Sequence, residues 1–349
     1  MLFFQKTLNF GHLKHALFYS GLWVLSLGLT ACDAPQNTTQ QSFYVFGTEV
    51  QLLIVGAEPH QAEQAIQAIE QRFQAFHHEW HAWEKGGIVS KINQAIANHQ
   101  AIEVPDSVKT FIQTSQKLSA QTDYLFDPAI GQLINMWGFH SEDWHGPPPP
   151  EAQRQAWLSK RPSIKDIYFK ESQLVSRNPN VQLDFGGNAK GLALDIAAQT
   201  LADAGIKNAL INIGGDIKAL GFKKHQAWSI GIQNPNNPKQ AIAKLQAQAG
   251  DSIFTSGTYQ RYFDWQGQRF SHIINPNTAW PADSFASVTV IHEDAITADT
   301  AATALLIAGE QDWARIADQL GVDAVFIVHR DGRIDITPAM QSRLIDLKN

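Results

Sequence analysis

One cysteine stands in 349 residues, at position 32, and a chain with one cysteine can neither close an internal disulfide nor build a multi-cysteine metal centre. The fold must therefore be held by burial. Composition permits this: 44% of the residues are apolar and 17% charged, the balance of a chain that can bury a core and not of a disordered one. The length exceeds the usual extent of one compact core and leaves either two domains or one large body. The formal net charge is −6, and the 27 Lys and Arg form no basic cluster able to neutralise a phosphate backbone, which argues against nucleic acid as a partner.

The position of the cysteine accounts for it. Residues 1–15 carry Lys6 and Lys14 and no acidic residue, residues 16–30 are apolar or small, and Leu29-Thr30-Ala31-Cys32 follows. That is the order of an export signal: a basic region, an apolar region and a cleavage site. About 15 apolar residues are short for a permanent span, which needs about 20. The segment resembles the signal of bacterial lipoproteins, whose cysteine is acylated and becomes the first mature residue. The alternative is an uncleaved anchor with a buried cysteine. Asp33 resembles the signal that retains such proteins at the inner membrane of enteric bacteria. The expectation is a signal peptide over 1–31, a polar tether over 32–41 and a folded body over 42–349, held by lipid on Cys32 at the periplasmic side of the inner membrane.

In the body, 43–55 reads as β-structure interrupted by Gly47, and apolar residues from Ala62 to Phe76 recur at three and four, predicting a helix over 59–80. Further helices are expected at 105–120, 152–158, 189–204, 298–308 and 310–320. Strands are expected at 166–169 with 173–177, then at 208–213, 227–232, 252–256, 286–291, 323–328 and 333–336. The run Pro147 to Pro150 marks an exposed loop. Strands alternating with helices predict an α/β or α+β body.

Two glycine-rich stretches follow β-like runs: Asp184-Phe185-Gly186-Gly187-Asn188-Ala189-Lys190-Gly191 and Asn212-Ile213-Gly214-Gly215-Asp216. In the first, glycines, a helix N-terminus and Lys190 together suit an anion; a tight strand-to-helix turn explains the same residues. The glycine spacing fits neither dinucleotide nor P-loop patterns. Asp299 and Thr303, four apart at a helix start, offer hard oxygens of the kind Mg²⁺ takes; helix-end stabilisation is the other use for such an Asp. His272 lies in a β-like segment with no second histidine spaced for zinc. Trp80, Trp83, Phe126, Trp137 and Phe139 suit either a planar ligand or a core.

Taken in order, these stretches with Ser256-Gly257-Thr258-Tyr259, Ser271-His272-Ile273-Ile274-Asn275-Pro276 and Ala298-Asp299-Thr300-Ala301-Ala302-Thr303 resemble the ApbE family of FAD:protein FMN transferases. Phe46-Gly47-Thr48, Ser90-Lys91-Ile92-Asn93 and Phe126-Asp127-Pro128 fit as well. The resemblance implies an α+β fold of mixed β-sheets flanked by helices, related to the tunnel fold, with two lobes around an FAD cleft. It implies Mg²⁺-dependent transfer of the FMN half of FAD onto a Thr or Ser hydroxyl of a target protein, with release of AMP. Family targets are membrane subunits of sodium-pumping NADH:quinone reductase and related complexes, with an acceptor motif near Asp-Gly-x-Ser/Thr-Gly-Ala-Thr. By position it places the Gly187 carbonyl, Asp299 and Thr303 on the metal, and Phe46, Trp83, Leu125, Phe126, Asp127, Asp184, Lys190 and Ile273 on FAD. His272 matches a histidine thought to act in catalysis. The chain departs from the family's His-x-x-Asp-Pro-x-Thr-Gly at Asn275 and Ala279, and Asn188 stands where an apolar residue is usual.

Chemistry is consistent with that assignment. A hydroxyl attacking a phosphoanhydride needs neutralised phosphate oxygens and an aligned nucleophile. His272 is then the candidate base, with Asp216 next in line. Competing expectations are an FAD pyrophosphatase using water in the same site, a lipid-anchored flavin-binding protein without chemistry, and a periplasmic solute-binding protein.

Overall fold

Thr38, Thr39, Gln40 and Gln41, expected to be tether, instead form the first half of a strand. The strand Thr38–Val45 pairs antiparallel with Thr48–Val55 along its whole length. It lies at a sheet edge, so polar residues can alternate toward water while Phe43 and Val45 face inward. The computed structural model describes residues 37–141 and 145–347, and from residue 37 these belong to one compact unit. The segment expected to be a signal peptide, the expected lipidation residue Cys32 and the rest of 32–36 lie outside the described residues.

The main sheet has eight strands: Thr38–Val45, Thr48–Val55, Ala209–Ile213, Asp216–Leu220, Ser252–Gly257, Phe285–His292, Ala324–His329 and Ile334–Ile336. They lie side by side in chain order, each antiparallel to its neighbours, and the sheet stays open. This is a mixed α+β body, as expected, with no closed barrel among the described residues.

Both faces of the sheet are covered, which is why Phe285–His292 and Ala324–His329 are buried along nearly their whole length. On one face Leu52, Ile211, Phe254, Val288 and Ile327 meet Ile69 and Phe73 of the helix Pro59–Trp80, Leu194 of Ala189–Asp203 and Leu305 of Ala295–Leu320. On the other, Ile217, Ile253 and Phe326 meet Trp228, Ile230 and Leu245 of the hairpin Trp228–Asn234 and Asn237–Ala247. Each fully buried Leu, Ile or Phe contributes roughly 1.5–3 kcal/mol by leaving water.

Long connections carry the remaining elements. Between the second and third strands run the helices Pro59–Trp80, Ile88–Ala97, Asp106–Gln121, Gly131–Met136 and Glu151–Lys160, a small sheet, and Ala189–Asp203. Between the fifth and sixth strands, the hairpin Tyr262–Trp265 and Gln268–Ser271 packs Phe263 and Phe270 against Trp137 and Phe139. The two helices expected at 298–308 and 310–320 are both present within Ala295–Leu320; the first begins earlier, at Ala295, and they meet at a kink at Gly309, whose φ of 69° and ψ of −172° are not helical. Its N-cap is Asp294, whose carboxylate accepts from Thr297 N at 2.7 Å. Asp299 therefore stands in the second turn and does not cap its own helix.

Candidate active site

Two hairpin turns and the Gly257 end of the strand Ser252–Gly257 lie at one end of the main sheet. The turn Phe46-Gly47 joins the first two strands with φ of 60° and 69°. Ile213 pairs directly with Asp216 across Gly214-Gly215, at φ of 60° and 103°. The second glycine-rich stretch is thus a two-residue hairpin turn with left-handed backbone at both positions, and its glycines serve that turn. Its functional product is Asp216, the first residue of the next strand.

Asp216 is 2% exposed; its carboxylate accepts from Thr255 N at 3.0 Å and from the Lys190 ammonium. Burial alone would depress Lys190, but Asp216 and then Asp299 outweigh it and hold the ammonium above its ordinary value. Asp299 is 5% exposed and accepts from Gly191 N at 2.9 Å. This corrects the reading of the first glycine-rich stretch as an N–H cradle for phosphate: Asp299 fills the N-terminus of the helix Ala189–Asp203, and Ala189 N is taken by Phe185 O. The close approach depends on Gly191, where a β-carbon would stand 2.6 Å from Ala295 O.

Burial pushes Asp299 up to about 7; Lys190 opposes the shift and Asp216 adds to it. Thr303 Oγ1, one helical turn on, lies 3.0 Å from Ser256 Oγ. A β-carbon on Gly187 would stand 3.0 Å from the Phe126 ring and 3.7 Å from Thr303 Oγ1. The main chain at 187 thus lies beside the Thr303 hydroxyl, which shares a helix face with the Asp299 carboxylate; Asp299 is buried, and Gly187 and Thr303 are half-buried. This hard-oxygen set fits Mg²⁺, and a cation there would favour the ionised Asp299 that burial disfavours. Asp216 and Ser256 were not singled out as metal or flavin contacts by sequence, because their proximity arises from pairing between strands far apart in the chain.

The flavin candidates divide. Phe46 lies half-buried against Phe73, Phe76 and His77. The Trp83 indole N–H donates to Asp184 Oδ2 at 2.9 Å while Gly186 N donates to Oδ1 at 2.8 Å, so Asp184 shapes the loop as well as facing it. Asn93 pins the same loop from both sides, donating to Leu183 O and accepting from Leu183 N. Asp127 is 4% exposed and accepts from Ala129 N and Ile164 N; burial raises its pKa against the pull of these hydrogen bonds. Its carboxylate serves the 163–166 turn. Leu125, Phe126 and Ile273 belong to the main core.

His272 is half-buried beside Phe139. Its Nδ1 lies 3.1 Å from Arg261 O. A carbonyl only accepts, so Nδ1 carries the proton and Nε2 the lone pair. Burial first, then Arg261, then Lys190 bring its pKa down to about 4, against the hydrogen bond to Arg261 O, which leaves the ring neutral at working pH. In the turn that follows, Asn275 Oδ1 accepts from Asn277 N at 2.8 Å, a bond that an Asp carboxylate could equally accept. Ala279, in the glycine position, is held at φ 54°. Beside this turn lies a cavity of about 340 Å³ lined by Asn275, Thr278, Trp280 and Asp283. Asn188 is fully buried; its amide donates to Ser115 Oγ and its Oδ1 has no partner.

Among the described residues, one group of three His, Asp, Glu or Cys side chains is spaced for a metal: His77, His81 and Glu84, whose ligand atoms lie within 4.8 Å of one another. His81 Nδ1, however, accepts from Glu84 N at 2.9 Å and Trp83 N at 3.2 Å. That obliges a neutral ring to protonate Nε2 and leaves no lone pair for an ion. The group caps the loop bearing Trp83.

Comparison with known proteins matches the ApbE family model to residues 46–326. An FAD:protein FMN transferase of Rhodobacter capsulatus is 38% identical over 341 residues, 95% of this chain and 64% of that protein; the chain thus spans just under two thirds of that relative's length. One from Vibrio cholerae is 26% identical over 88% of this chain and 94% of its own. The crystal structure of the ApbE protein of Thermotoga maritima superposes with a TM-score of 0.81 at 28% identity, covering 89% of this chain and all of that one. Pseudomonas stutzeri flavinyl transferase ApbE, in its apo form, gives 0.77 at 26% identity, over 88% and 97%.

Proposed function

The chain belongs to the ApbE family, and from that premise we propose that it transfers the FMN half of FAD to a Thr or Ser hydroxyl of a target protein and releases AMP. The observation that carries the reading is the hard-oxygen set at Gly187, Asp299 and Thr303, of which Asp299 is buried, in a chain that also holds a neutral histidine whose Nε2 is left to accept a proton.

The acceptor hydroxyl gives its proton to His272 Nε2 and its oxygen bonds to the phosphorus of the FMN half. The bond from that phosphorus to the bridging oxygen breaks, and AMP leaves with the electron pair. Gly187, Asp299 and Thr303 would hold Mg²⁺, which supplies charge neutralisation at the phosphate oxygens. Lys190, fixed by Asp216, adds a positive charge beside them. Trp83 and Phe46 supply apolar area for the flavin ring.

The acceptor is a protein bearing a motif near Asp-Gly-x-Ser/Thr-Gly-Ala-Thr, of the kind found in NADH:quinone reductase-type membrane subunits. The enzyme works lipid-anchored through Cys32 at the periplasmic side of the inner membrane; the Leu29-Thr30-Ala31-Cys32 sequence supports this.

Incubation of the purified protein with FAD, Mg²⁺ and a domain bearing the acceptor motif tests the proposal. The acceptor should gain one FMN mass with AMP in equal amount. AMP with free FMN and an unmodified acceptor would make the enzyme a pyrophosphatase.

A further inference from the structure

The strand Asp216–Leu220 carries a second charge on the face that bears Asp216. Ile217 turns to the apolar hairpin on one side of the sheet, so Asp216 and Lys218, two apart, both turn to the helical side. Asp216 takes the Lys190 ammonium from the helix Ala189–Asp203. Lys218 faces half-buried Asp195 of the same helix, with Nζ 3.9 Å from Oδ1. The buried Lys218 ammonium also donates to Ser252 Oγ at 2.8 Å and to Glu293 O at 2.6 Å, and Ser252 Oγ donates to that same carbonyl at 3.1 Å. Glu293 immediately precedes Asp294, the N-cap of Ala295–Leu320. One ammonium therefore joins two strands, one helix and the entry to another. These helices touch where a β-carbon on Gly191 would stand 2.6 Å from Ala295 O. Beyond that point Asp299 ties them through Gly191 N. Before it Lys218 ties them, through Glu293 and Asp195.

We propose that Lys218 is a positioning residue for Asp299 and Thr303: by holding Glu293 and Asp195 it fixes the helix Ala295–Leu320 against Ala189–Asp203, so that both oxygens are presented beside Gly187. The proposal rests on the transferase reading and its metal. A helix held at one contact can turn about it, and a second tie removes that freedom. Lysine suits the task because a single nitrogen at the end of a long arm carries three donors and no acceptor, enough for Ser252, Glu293 and Asp195 together. Groups that orient metal ligands from behind typically change metal affinity by about 10- to 100-fold when removed.

The test uses Lys218→Met and Ser252→Ala in the full protein, with Ile230→Val as a control that thins the core on the other face of the sheet. Calorimetric titration of FAD at increasing Mg²⁺ reads metal affinity without turnover, and the melting temperature reads stability. Lys218→Met should need at least about 10-fold more Mg²⁺ than the parent to reach the same FAD affinity, while FAD affinity without Mg²⁺ holds. Ser252→Ala, which keeps the ammonium and loses one of two donors to Glu293 O, should shift the same way by about 3-fold. Ile230→Val should melt lower with the parental Mg²⁺ dependence. A parental Mg²⁺ dependence in Lys218→Met, or an equal shift in Ile230→Val, overturns the proposal, since a role in stability alone predicts either. Should Lys218→Met not fold, Ser252→Ala decides, and a parental dependence there overturns the proposal. A parent whose FAD affinity ignores Mg²⁺ removes the metal and the proposal with it. A parent that responds to Mg²⁺ but leaves the acceptor unmodified refutes transfer alone, and the Mg²⁺ comparison still judges Lys218.

Discussion

Asp216 and Asp299 retain 2% and 5% of their surface and stand on a strand and a helix within the main layers. Arg261, His140 and the turn 275–279 stand on connections between elements, with the His140 ring tilted against Trp83 at 5.3 Å between centroids. The first group is positioned by backbone that cannot move without opening the core: Gly191 lets two helices touch, and the Asp299 carboxylate fills one helix end. The second is positioned by turns and by an aromatic cluster around Trp137, Phe263 and Phe270. The buried half concentrates charge where desolvation makes a cation welcome. On the proposed reading, the exposed half is the one that a protein acceptor would approach.

If this division is real, the two halves should fail differently. The largest effect belongs to the buried half. Asp299→Asn keeps an acceptor for Gly191 N but loses the charge, and turnover should fall on the order of 10²–10³-fold or more; EDTA should do the same to the parent. Parental turnover in both would remove the metal from the account. The same substitution sharpens a pH test. Because burial raises Asp299 from 3.8 to about 7, between these values the native chain holds a proton that the unfolded chain has released. Its contribution to metal-free stability is full below the lower value and is lost as pH rises to the upper one. Denaturant titrations in EDTA should show a steeper decline in the parent than in Asp299→Asn, where Asp195, raised to about 6, still contributes one of the same sign.

In the exposed half, His272→Ala should lower transfer by about 10²-fold, the scale for losing a general base. An unchanged single-turnover rate would make His272 structural. Smaller again is Gly191→Ala. Although alanine is the better helix former, its β-carbon meets the Ala295 main chain, and a loss of about 1–3 kcal/mol should appear as a lower melting temperature. Smallest is Ala279→Gly. Left-handed backbone is costly for alanine, so glycine should stabilise the protein by at most about 1 kcal/mol; destabilisation would show that the buried methyl group matters more than the backbone.

The sequence made the buried half legible as a set of motifs but not as a geometry. Asp299 and Thr303 could be placed on one helix face from their spacing, and the break at Gly309 was visible as two helices. That Asp299 serves another helix was not visible, because the contact with Gly191 joins residues 108 apart. Asp216–Leu220 escaped notice as a strand since Lys218 interrupts its apolar pattern. The ammonium is buried, donating to Ser252 Oγ at 2.8 Å and Glu293 O at 2.6 Å. Gln40 and Gln41 misled in the opposite direction: polarity suggested tether, yet an edge strand tolerates it. Arg261 carried no signal at all, being one exposed arginine on a connection.

That the buried half binds and the exposed half transfers is tested most directly by calorimetric titration of FAD, with and without Mg²⁺, into Asp299→Asn and His272→Ala side by side. The predicted result is parental affinity and Mg²⁺ dependence for His272→Ala, and FAD affinity indifferent to Mg²⁺ for Asp299→Asn. Equal loss of affinity in the two variants, or a parental Mg²⁺ response in Asp299→Asn, would contradict it.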